Sequence, residues 1–98
     1  MAILLIAYDL HKKKESEYQD FHNIIKKNPF AKLSESSYAI ETQETPVAVY
    51  EKLRPYVDDA DKFYIVTLIQ PFYGFGEKAV NQWLTEKLPP PQNYSPWK

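Results

Sequence analysis

Ala2-Ile3-Leu4-Leu5-Ile6-Ala7-Tyr8-Asp9-Leu10 decides the fold. Apolar and aromatic residues run unbroken from Ala2 to Tyr8 and end at one carboxylate. The length suits a strand, and the lack of polar alternation predicts that both its faces are covered, as in the middle of a sheet. Asp9 stands where the strand runs out. A carboxylate held there is rigid enough for a metal or a proton transfer, and equally suited to capping the turn that follows.

Outward from this strand, His11-Lys12-Lys13-Lys14 forms a short basic loop. Helical spacing follows from Glu15 to Lys27, with Tyr18, Phe21, Ile24 and Ile25 on one stripe, Ser16 as N-cap and Asn28-Pro29 as the stop. Phe30 to Thr42 reads as extended, either one long bent strand or two strands meeting at a corner around Glu35. In its second half Tyr38 and Ile40 alternate with Ser37 and Glu41, which predicts an exposed side or a sheet edge. Thr45-Pro46 opens a second helix with the stripe Val49, Tyr50, Leu53 and Val57, and Pro55 disturbs its last turn. Asp58-Asp59-Ala60-Asp61 is an acidic turn without calcium-loop spacing. Lys62 to Ile69 is a second strand apolar on both faces, expected beside the first. The aromatic loop Gln70 to Gly76 holds the only two glycines and lacks the glycine pattern of a dinucleotide-binding turn. A helix over Glu77 to Leu88 ends at Pro89-Pro90-Pro91, and a tail with Tyr94 and Trp97 is expected to pack on an apolar surface.

Strand, helix, strand, strand, helix, strand is the order of a ferredoxin-like βαββαβ sandwich, an α+β fold with an antiparallel sheet. The 98 residues make one domain, with a core over 1–70 and a C-terminal helix and proline-rich tail over 71–98. Two strands apolar on both faces need cover on the side away from the helices, from a partner subunit, the C-terminal helix or the tail, and a homodimer is expected. With no cysteine, disulfides, thiolate nucleophiles and cysteine-bound zinc are excluded. The first apolar run is too short to span a membrane and lacks a basic leader and cleavage site, so no membrane and a cytoplasmic location are expected. The net charge of −1 leaves nucleic-acid binding to a local basic patch.

Three blocks carry a family resemblance over residues 1–70: Tyr8-Asp9-Leu10 closing the first strand, Lys32 to Ile40 with its Ser34-Glu35-Ser36-Ser37-Tyr38 run, and Asp61-Lys62-Phe63-Tyr64-Ile65-Val66. On these blocks the chain resembles the small CRISPR-associated adaptation dimers and their VapD-type and SinR-like relatives, and the serine-rich run is most similar to the SinR-like branch. The resemblance implies a ferredoxin-like dimer. From the nuclease members it implies that Asp9 lies near its symmetry mate and holds a divalent metal, Mg²⁺ or Mn²⁺. The chain departs from that pattern in its C-terminal third and in having a single arginine, Arg54.

Two functions follow. One is a non-catalytic dimeric module that binds a protein or a nucleic acid, which the sparse basic residues and near-neutral charge favour. The alternative is a metal-dependent endonuclease, acting on RNA or DNA and in one form toxin-like, with Asp9 as metal ligand and catalytic residue and His11 assisting proton transfer. Lys12, Lys13, Lys14 and Ser36 are the candidate nucleic-acid contacts, with an ordinary solvated surface as the competing reading.

Overall fold

The computed structural model describes residues 1–11 and 18–91. Strands β1 (Ala2–Asp9), β2 (Phe30–Ser34), β3 (Ser37–Thr42) and β4 (Lys62–Leu68) form one sheet in the order β2-β3-β1-β4, with every neighbouring pair antiparallel. Helices α1 (Gln19–Lys26), α2 (Pro46–Leu53) and α3 (Lys78–Lys87) complete an α+β domain. Among the described residues no helix is long and apolar enough to cross a membrane.

Side chains alternate between the two faces of a strand, and β1 uses both. Leu4 and Ile6 point to one face and join Phe21 and Ile25 of α1, Tyr38 and Ile40 of β3, and Val49 and Leu53 of α2 in the main core. Ile3 points to the other face, where Ala39, Leu84 and Leu88 form a second, smaller core under α3. The expected central position of the first strand therefore holds, and the C-terminal helix supplies cover on the second side. α3 is also fixed by polar contacts. Lys87 Nζ lies 3.2 Å from Glu41 Oε1, and the Gln70 backbone N–H donates to the Pro89 carbonyl at 2.8 Å.

Local chemistry sets the element ends. The Asn28 side chain donates to the carbonyls of Ile24 and Ile25, closing α1. Thr45 Oγ1 accepts from the Ala48 N–H at 3.1 Å and Pro46 follows at the first helical position. Pro55 has no N–H to continue α2, which tightens after Leu53 into a 3₁₀ turn over Arg54–Tyr56. The extended stretch resolves into two strands, β2 and β3, turning at Glu35-Ser36, with a register irregularity between Lys32 and Ser34.

Two expectations need correction. Ser37–Thr42 is no edge: it lies between β2 and β1, and its polar residue Glu41 sits under α3, paired with Lys87. The strand at 62–68 is apolar on both faces but is not covered on both. It is an edge strand, and on the α3 side Tyr64 is 70% and Val66 48% exposed. α3 reaches only one end of that face. The proposed N-cap Ser16, the lysines Lys12, Lys13 and Lys14, and the tail aromatics Tyr94 and Trp97 lie outside the described residues.

Phe21 is fully buried in the larger core, and Leu84 is nearly so in the smaller one. Phe21→Ala is expected to cost about 3–5 kcal/mol of unfolding free energy and Leu84→Ala about 2 kcal/mol, the lower end for a leucine because α3 can settle onto the sheet. Urea titrations of the two variants followed by circular dichroism would test this ranking, which the reverse order of midpoints would refute.

Candidate functional site

The turn before β4 brings residues distant in the chain to one carboxylate. Asp61, immediately ahead of β4, has a side chain with no exposed surface. Its Oδ1 accepts from the His11 backbone N–H at 2.8 Å and from the Tyr18 hydroxyl at 2.8 Å, and lies 2.7 Å from His11 Nδ1. Its Oδ2 accepts from the Asp58 N–H at 3.0 Å. The Asp61 N–H in turn donates to the Asp58 carbonyl at 3.0 Å, and the Ala60 N–H to Asp58 Oδ1 at 2.9 Å, so the acidic segment folds on itself as a turn.

Burial by itself would raise the Asp61 pKa. The two backbone N–H donors, the His11 ring and the Tyr18 hydroxyl outweigh it and hold the carboxyl well below the usual carboxylate range. Asp61 is therefore ionised and can only accept. It follows that His11 Nδ1 carries a proton and donates it, so that in neutral His11 the basic lone pair is on Nε2. The ring is half exposed. The arrangement is an oriented histidine backed by a buried carboxylate, a geometry that can hold or pass a proton at Nε2.

The same cluster is the one group among the described residues in which three histidine or carboxylate side chains approach metal-ligand spacing: His11, Asp58 and Asp61. Asp61 is already heavily engaged within the chain, with three donors on Oδ1 and one on Oδ2.

Asp9 lies outside this cluster. It is exposed at the end of β1, on the α3 side of the sheet by strand alternation. Its ladder partner on β4 is Lys62. Asp9 is not among the ligand-type side chains gathered around His11. Ser36 sits at the β2–β3 corner, where its carbonyl accepts from the Tyr8 N–H at 3.0 Å and its N–H donates to Ser34 Oγ at 3.2 Å. Tyr8 reinforces the corner by donating its hydroxyl to the Glu35 carbonyl at 3.1 Å. The carboxylate that sequence reasoning passed over is Asp61. The signal was available in its position, one residue before an apolar strand that pairs with the strand leading to His11.

Compared with protein-family models and with curated proteins, the chain matches none.

Because the folded pKa of Asp61 is depressed, its ionised form stabilises the fold in full above the ordinary carboxylate range. That contribution is lost as pH falls through the range toward the depressed value. Stability should decline from about pH 5 to about pH 3. Asp61→Asn should cost about 1–3 kcal/mol at neutral pH, since an amide cannot accept from all four donors, and should flatten the acid slope. Urea midpoints measured across this pH range in both proteins are the check; an unchanged slope would remove Asp61 from the account.

Proposed function

We propose that this chain is a non-catalytic, ferredoxin-like homodimeric module of the cytoplasm, whose further partner is a protein. The order βαββαβ, the strand order β2-β3-β1-β4 and the placement of α1 and α2 on one face support the fold assignment. The observation that carries the functional reading is the sheet face that α3 leaves open, where Tyr64 and Val66 stand side by side in solvent on an edge strand. Adjacent exposed apolar residues of this size on a strand are a contact surface.

The charge pattern favours a protein over a phosphate backbone. Lys32, Lys52, Arg54 and Lys87 are each paired with a carboxylate, those of Glu35, Glu44, Asp59 and Glu41. Cations already paired in this way are less available to displace counterions from a nucleic acid. The His11–Asp61 pair is consistent with a structural role, since the carboxylate anchors the chain on both sides of the loop after β1.

The second reading, an endonuclease working through Asp9, has one observation on its side: Asp9 is exposed on this same open face. The experiment that separates the two is sedimentation of the wild-type protein over a concentration series, together with incubation with RNA and DNA in Mg²⁺ or Mn²⁺. A dimer without cleavage is expected. Metal-dependent cleavage that disappears in Asp9→Asn would establish the enzyme instead, and a monomer at every concentration would reject the dimeric module.

A further inference from the structure

The open face has a register that selects its occupant. On β4 the exposed row is Lys62, Tyr64, Val66; beside it on β1 runs Asp9, Ala7, Leu5, and the ladder pairs them as Lys62 with Asp9, Tyr64 with Ala7 and Val66 with Leu5. Directly paired residues project to the same side of a sheet. A positive residue therefore lies beside a negative one, and the largest apolar residue beside the smallest. Neither Asp9 nor Lys62 makes an ion pair among the described residues, so both charges are available.

Resting on the dimeric reading above, we propose that a second copy of this chain occupies the open face, related by a twofold axis running along the strands between β1 and β4. Rotation about that axis lays each residue of β4 over its own ladder partner in the other copy. Lys62 meets Asp9 of the second copy, Tyr64 covers Ala7, and Val66 meets Leu5, each contact occurring twice. The two neighbouring axes along the strands lack this complementarity. An axis along β4 would set Lys62 against Lys62 and Tyr64 against Tyr64, and one along β1 would oppose the two Asp9 side chains.

The placement of α3 permits the contact. It packs over Ala39 of β3 and over the Ile3 and Leu68 end of the β1–β4 ladder, leaving Tyr64 and Val66 exposed. Two sheets facing each other in this way fall in the aligned packing class, and the Tyr64–Ala7 pair lies mid-row, where sheet twist displaces partners least. The two rows alone fall short of the roughly 800 Å² per partner of a stable interface. Tyr73 and Phe75, fully exposed on the loop after β4 and bordering the same face, bring about 150–250 Å² each within reach.

Charge reversal tests the axis. Lys62→Glu sets two carboxylates against each other at both contacts, and Asp9→Lys does the same with two ammonium groups. Each variant alone is expected to raise the dimer dissociation constant at least about tenfold in sedimentation equilibrium. An equimolar mixture of the two variants restores opposite charges at every contact and should form a heterodimer, which shows that the single variants had not merely lost their fold. A wild-type dimer insensitive to both substitutions overturns this face while leaving the dimeric module standing. Single variants that stay monomeric when mixed also overturn it, and a wild-type monomer at all concentrations removes the dimer and its face together.

Discussion

A strand has two sides, and β1 is apolar on both. That constraint shapes everything around it. Leu4 and Ile6 require a layer on one side, which α1 and α2 supply with Phe21, Ile25, Val49 and Leu53. Ile3 requires a layer on the other, which α3 supplies with Leu84 and Leu88. Because α3 is ten residues long and anchored at its C-terminal end through Lys87 and Gln70, it cannot follow β1 along its whole length. Along the second side exposure rises from Ile3, which is buried, through Leu5 and Ala7, which are half-buried, to Asp9, which is exposed. The open face is the part of this demand that one copy of the chain leaves unmet.

Most of the fold was legible in the sequence because its signals are local. The Thr45-Pro46 start, the Asn28-Pro29 stop, the Pro55 disturbance and the three helical stripes act within a turn or two of the residues that carry them. What the pattern could not convey was lateral position in the sheet. Lys62–Leu68 and Ala2–Asp9 have similar apolar content, yet one is an edge and the other central, since hydrophobicity reports what a strand can bury and not which neighbours it receives. The reverse error occurred at Ser37–Thr42. Glu41 made it resemble an edge, but Lys87, 46 residues away, neutralises that carboxylate under α3.

The candidate site was less legible for the same reason. Asp61 is one of three aspartates in a four-residue segment, and local sequence does not distinguish it from Asp58 or Asp59. Its burial comes from His11 and Tyr18, respectively 50 and 43 residues earlier in the chain. His11, just past the end of β1, takes as its partner Asp61, just ahead of β4.

The sheet order also bears on how the chain reaches its folded state. β2 and β3 are joined by a tight turn and can pair as soon as both exist, whereas β1 pairs only with β3 and β4, so that Ile3 must find Leu68 from the far end of the domain. Such distant pairings are slow because the loop must close before any contact compensates for its lost entropy. β1 is made before either strand that will enclose it. During synthesis its unbroken apolar run waits without a sheet, and that interval, rather than the finished structure, is when the chain is most exposed to aggregation and most dependent on chaperones.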